Sequence, residues 1–168
     1  PEYVPYYARR FARRLDAEEI HDAITQATGI GANYRIVSRT GTQLPAVRWA
    51  MKLPDTREPP SNRRVALFLD SLGRGNRDQT TRSTEGPSLQ ALNLMNHDFV
   101  NGRINANNPT GTIARLLGQT SDPTTIVERL YLETLSRYPR TDELRLLLPV
   151  LATQGNAEGA ESIQWILM

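Results

Sequence analysis

The chain has 168 residues, 39% hydrophobic and 23% charged. That is the composition of an ordinary folded protein, and the length fits one medium domain or two small helical lobes sharing a core. Twenty basic side chains face 18 acidic ones, a net charge of +2, so the basic footprint of a nucleic-acid binder is missing; there is no cysteine, which excludes disulfides, thiolate catalysis, Cys-ligated zinc and covalent c-type haem within these residues.

No apolar run reaches the roughly 18 residues that a membrane-spanning helix needs. Lys52 is the only lysine, a bias that either arginine's planar, bidentate pairing or genomic base composition explains. The chain begins at Pro1 and stops at Trp165-Ile166-Leu167-Met168 inside a helical pattern, and is expected to be a fragment of a longer protein.

From Tyr3 to Arg14, Tyr3, Tyr6, Tyr7 and Phe11 alternate with Arg9, Arg10, Arg13 and Arg14. Stacking on nucleic-acid bases is one reading; a helix packing its rings inward, its arginines balanced by Asp16, Glu18 and Glu19, is the favoured one. Asp16 as N-cap with Glu19 in the capping-box position starts a helix. Its apolar stripe is Ile20, Ala23, Ile24 and Ala27, and Gly29 ends it. His21 falls off that stripe, which predicts a surface or supporting position and no metal role.

Gly29 to Asn62 is broken by glycine and proline. Tyr34-Arg35-Ile36-Val37 predicts a short strand. Val47, Trp49, Met51 and Leu53 alternate with Arg48, Ala50 and Lys52, predicting an extended segment that drops Trp49 and Met51 into the core. Pro54 to Pro60 is expected to be a surface loop. Ser61 or Asn62 caps a helix from Arg63 to Leu72 that buries Val65, Phe68, Leu69 and Leu72, with Gly73 as terminator.

An Arg- and Gly-rich loop follows, Arg74-Gly75-Asn76-Arg77-Asp78, and then a polar stretch to Glu85. Pro87 suits the first turn of a further helix, with Leu89, Leu92, Met95 and Phe99 as its core stripe and Gln90, Asn93, Asn96 and His97 on another face. Asparagine is a poor helix former, so either that face lies in water or, the preferred reading, these amides satisfy backbone groups of the preceding loop. If this chain holds a ligand site, it is expected at Arg74, Arg77, Asp78, Gln90, Asn93 and Asn96.

Asn105 to Gly111 reads as a turn and Thr112 to Leu117 as a short helix. Asp122-Pro123 opens a strong helix with Ile126, Val127, Leu130, Tyr131, Thr134 and Leu135 on one face. Thr141-Asp142-Glu143 starts the next, with Leu144, Leu147, Leu148 and Leu151 inward and Pro149 expected to kink or shorten it. Gly155-Asn156 turns into a final helix. Short connections imply antiparallel helical hairpins packed on the central helix. The expected fold is mainly α, with an irregular or short-β segment around residues 30–60; residues 1–168 form a single helical domain, divisible into sub-lobes 1–108 and 109–168.

Three segments together carry a family resemblance: Arg13-Arg14-Leu15-Asp16-Ala17-Glu18 with its helix; Leu72-Gly73-Arg74-Gly75-Asn76-Arg77-Asp78 through Leu89-Gln90-Ala91-Leu92-Asn93-Leu94-Met95-Asn96 to Phe99-Val100; and Leu130-Tyr131-Leu132-Glu133-Thr134-Leu135-Ser136-Arg137-Tyr138-Pro139 before Asp142-Glu143. The chain resembles the C-terminal domain of unknown function (domain of unknown function 1553) of large planctomycete-type proteins, which often also carry a cytochrome-c-like domain. The resemblance implies an exported or periplasmic multidomain protein, with electron-transfer or polysaccharide-related roles, any haem lying elsewhere in the full-length protein. It also implies that the last helix runs on past Met168, and it supplies no catalytic residues.

The leading expectation is therefore an interaction or scaffold domain whose partners are neighbouring domains of the same chain, with no cofactor, metal or nucleic acid in this part. The alternatives are a glycan- or carboxylate-binding module at the Arg74–Asn96 cluster, with polysaccharide as partner and Trp49 or a tyrosine for stacking, and a hydrolase-type enzyme using Asp78 and Glu85. Haem ligation by Met95 or His97 ranks below these, because Met95 fits the core stripe.

Overall fold

The computed structural model describes residues 15–38, 40–54, 62–74, 92 and 94–168, and the protein is mainly helical within them. Helix α1, Ala17–Thr28, starts where the local code places it: the Glu19 carboxylate accepts the Asp16 N–H at 2.8 Å, closing the capping box. Gly29 ends it in the left-handed region at φ 70°, a conformation that costs glycine nothing. The buried face takes in Ala17, His21, Ile24, Thr25, Ala27 and Thr28, so Ile24 and Ala27 of the expected stripe are inside but the face is rotated to include His21. Ala23 is exposed and Ile20 only half-buried.

Strand β1, Tyr34–Val37, pairs antiparallel with β2, Gln43–Val47, through Tyr34↔Val47, Ile36↔Leu44 and Val37↔Gln43. Tyr34 and Ile36, two apart, share the buried face, and the register shifts between them because β2 takes one extra residue. The extended segment expected as far as Leu53 stops short, because Ala50–Lys52 winds into a 3-10 turn. Winding reverses the expected faces: Ala50 is buried, whereas Met51 is 64% exposed. Trp49 stays half-buried under the Arg48 guanidinium, 4.9 Å from its ring centre.

Helix α2, Arg63–Ser71, is capped by Asn62 Oδ1, which accepts the Val65 N–H, and it buries Val65, Phe68 and Leu69, with Leu72 buried at its end. Gly73 follows at φ 75°. The loop expected at Pro54–Pro60 and the start of the Pro87 helix fall mostly outside the described residues. Leu92 and Leu94 to Asn96 are helical, but His97 interrupts the helix and caps a separate short one, α3, Asp98–Asn101, its Nδ1 accepting the Phe99 N–H at 3.0 Å. The continuous stripe is thus broken: Phe99 is buried, while Leu92 and Met95 are 54% and 49% exposed.

Helices α4, Thr112–Leu117, α5, Pro123–Leu135, α6, Thr141–Gln154, and α7, Asn156–Leu167, complete the chain. Asp122 caps α5 with Pro123 in its first turn. Arg137 clamps Glu143 through two 2.7 Å bonds across the α5–α6 connection. Pro149 neither shortens α6 nor ends it.

Two apolar clusters result. One gathers Ala17, Ile24, Tyr34, Phe68, Leu69 and Phe99 among others; the second gathers Ile113, Ile126, Leu130, Leu151 and Ile163 among others; Ile104 packs against both. Helix α1 packs on α2 and the 3-10 turn, and also on α4 and α5. The three C-terminal helices therefore pack on one another and on α1 and α4; with the central segment around Leu94 they share a smaller contact, where Trp165 Nε1 donates to Met95 O at 3.3 Å.

Gln164 ties α7 to the end of α1: it is 1% exposed and its Nε2 donates to Ala27 O at 3.0 Å. Gln164→Leu keeps the volume and leaves that carbonyl unpaired. It is expected to cost about 1–3 kcal/mol, read as a lower urea midpoint at unchanged slope.

Candidate functional site

The residues singled out from sequence divide sharply. Arg77, Asp78, Gln90 and Asn93, together with Glu85, lie outside the described residues. Arg74 follows Gly73 at the end of α2; its side chain is 2% exposed and its Nε donates to Glu18 Oε1 of α1 at 3.1 Å. Arg74 thereby braces α1 against α2. Asn96 is exposed and its amide donates to Leu92 O, within its own helical turn, at 3.1 Å, so this amide does not reach back to the loop. Met95 is half-exposed instead of filling the core, and the His97 ring packs edge-on against Phe68, centroids 5.0 Å apart.

The cluster with the most chemistry is one that the sequence pattern sent to the surface. His21 is 0% exposed. Its Nδ1 lies 2.7 Å from Asp22 Oδ1 and its Nε2 lies 2.6 Å from the Tyr34 hydroxyl. Neighbours in sequence rarely bond side by side on a helix. Here Asp22 turns back to His21 because the same carboxylate also accepts the N–H groups of Ala50 at 2.7 Å and Met51 at 3.2 Å, capping the 3-10 turn. One carboxylate thus joins α1, the 3-10 turn and, through His21, strand β1.

Ring packing closes the other side. The His21 ring sits 4.6 Å from Phe99, which stacks on Phe68 at 4.5 Å. The Arg103 guanidinium lies 3.7 Å over the Phe99 ring centre, and its Nη1 donates to Phe99 O at 3.3 Å. Its buried Nε finds no hydrogen-bond partner, and no ion pair to Arg103 is found among the described residues.

Burial is the leading cause of each titration shift. Loss of water lowers the His21 pKa below its ordinary value, partly opposed by the bond and charge of Asp22, and Arg103 lowers it further. Burial pushes the Tyr34 hydroxyl up to about 12, while Arg103 pulls it back. Burial also lowers the Arg103 pKa. A carboxylate only accepts, so Nδ1 of neutral His21 carries the proton and Nε2 accepts from Tyr34. The arrangement can hold or pass a proton between His21 and Tyr34, but these two groups are buried, and only Asp22 and Arg103 keep partial exposure. Among the described residues no group of three or more His, Asp or Glu is placed to hold a metal ion.

A stripe drawn through Ala17, His21, Ile24 and Thr28, with a tyrosine in the next strand, was the signal available in sequence. The apolar stripe through Ile20, Ala23, Ile24 and Ala27 hides it, because His21 falls off that stripe.

These elements can be set beside known families. The model of one family, described as a protein of unknown function (DUF1553), matches residues 3–151. The chain belongs to the DUF1553 family. No curated protein and no solved structure matches it. In this DUF1553 chain the matched span holds the whole Asp22–His21–Tyr34–Arg103 cluster, as well as Arg74 and Asn96, and ends at Leu151 within α6. The three segments that carried the resemblance all lie inside it. None of the described helices is long and apolar enough to cross a membrane.

Proposed function

We propose that this domain is a helical interaction or scaffold module of a larger exported protein, docking against neighbouring domains of the same polypeptide. The observation that carries the reading is the contrast between two surfaces. The polar cluster centres on the buried His21 and Tyr34, and its bonds to Tyr34, Ala50 and Met51 tie β1 and the 3-10 turn to α1, which is how side chains are used to hold a fold. Three of the exposed apolar side chains, Met95, Trp165 and Ile166, gather with partly buried neighbours in one place. Trp165, Ile166 and Met168 from the end of α7 meet Leu94 and Met95 around a cleft of about 320 Å³. Ile166 is 57% exposed, Met95 49% and Trp165 39%. Contiguous exposed apolar surface of this kind marks interaction sites. Export is supported by the family resemblance.

The reading is tested by melting. A longer chain that includes the neighbouring domain is expected to melt several degrees above the 168-residue chain alone. Ile166→Glu is expected to abolish that difference while moving the melting temperature of the 168-residue chain by no more than about 2 °C, as for an ordinary surface change. If the longer chain melts as two independent parts, the docking reading fails.

A further inference from the structure

The cluster around His21 has a charge balance that mild acid would upset. Asp22 faces His21 from α1, Tyr34 faces it from β1, and Arg103 approaches from the turn after α3. Helix α3 itself contributes the Phe99 ring, α2 adds Phe68 stacked on Phe99, and the 3-10 turn adds only backbone N–H groups, held on Asp22. The Arg74–Glu18 pair lies at the junction of α1 with the end of α2 and is neutral as a unit.

With His21 neutral, it faces one negative charge, Asp22, and one positive charge, Arg103, and every His21 hydrogen-bonding atom is satisfied. A second proton on Nε2 would turn the Tyr34 oxygen, 2.6 Å away, from donor into acceptor and leave the buried Tyr34 O–H without the acceptor it has now. It would also leave one uncompensated positive charge beside Arg103, whose Nε already lacks an acceptor. A buried unpaired charge is among the costliest defects a core can carry.

We propose that this cluster is an acid-operated latch: protonation of His21 releases the β1–β2 hairpin and the 3-10 turn from α1, while the C-terminal helices stay folded. The inference is independent of the docking reading. The C-terminal half withstands the same change for two reasons. Its buried polar side chains, Thr112 and Gln164, do not titrate. Its Arg137–Glu143 clamp persists, because Arg137 and the Arg140 N–H hold the Glu143 carboxyl down to about 2. Helix α1 itself remains tied to α7 by Gln164.

The sign follows from proton linkage. A released His21 takes up a proton below about pH 6.5, whereas the latched one resists it. The open state therefore binds more protons, and opening becomes favoured as pH falls. For one proton the opening equilibrium rises about tenfold per pH unit below about 6.5, until the latched pKa is reached.

Amide hydrogen exchange, corrected for intrinsic rate, tests the latch on the 168-residue protein at pH 7.5 and 5.5. Protection of residues 34–53 is expected to fall about tenfold, with that of residues 123–167 unchanged. In His21→Gln, whose amide offers one donor and one acceptor without titrating, the same segment is expected to show no pH dependence. Should that variant fail to fold, proton NMR of the wild-type His21 ring decides the matter, since its resonance must not titrate while the hairpin is closed. Unchanged protection at pH 5.5, equal loss in both halves, or a His21 ring titrating near pH 6.5 under a protected hairpin would each overturn the proposal.

Discussion

Asp22→Ala is expected to destabilise the protein by about 3–5 kcal/mol, because charge-assisted bonds are worth roughly 1.5–3 kcal/mol each and two of those Asp22 accepts come from buried donors. The His21 Nδ1–H and the Ala50 N–H lose their acceptor inside the core, while Met51, being exposed, can turn its N–H to water. In a chain of this size such a loss corresponds to a fall in melting temperature on the order of 10 °C. Asp22→Asn keeps one carbonyl oxygen and should fall between the two. Denaturant unfolding at pH 7.5 measures both; a loss below 1 kcal/mol in the alanine variant would mean that the carboxylate does not hold these elements together.

The second large effect concerns the α6–α7 pair. A Cβ placed on Gly159 would lie 2.8 Å from Leu151 Cδ2 and 2.9 Å from Leu151 Cα. The first atom can swing away, but the second is backbone and moves only if α6 moves. Helix propensity alone would make Gly159→Ala stabilising by about 1 kcal/mol, so the sign of the result separates local from tertiary control. Overpacking against backbone costs about 1–3 kcal/mol. At this site Leu151 and Ile163 also belong to the second apolar cluster, so a displaced α6 spreads the cost to their neighbours. Net destabilisation is expected, seen as a drop of several degrees in melting temperature. A rise would mean that α7 does not sit this closely on α6.

Much of the framework was legible because its signals are local. Asp16 with Glu19, Asn62, Asp122-Pro123 and the Glu143 carboxylate each satisfy N–H groups within a few residues, and Gly29 and Gly73 take the positive φ that few other residues tolerate. The candidate site was less legible. Of the residues expected to form it, Arg74 serves to brace α1, Asn96 bonds to its own turn, and the other four lie outside the described residues. Met51, Leu92 and Met95 are apolar and fit a buried stripe, yet about half or more of each is exposed. Apolar character makes burial favourable but does not supply a partner.

By itself, then, the sequence determined where most of the described helices begin and end, though not the break at His97 or the turn at Ala50–Lys52. It also determined the mainly α class and the DUF1553 resemblance, since capping, chain reversal and family motifs are written in neighbouring residues. Only the tertiary structure decided which faces are inside. His21 and Asp22 read as polar surface until Tyr34, Ala50 and Arg103 are brought beside them. Burying a histidine is favourable only when each ring nitrogen meets a partner, and those partners come from distant parts of the chain.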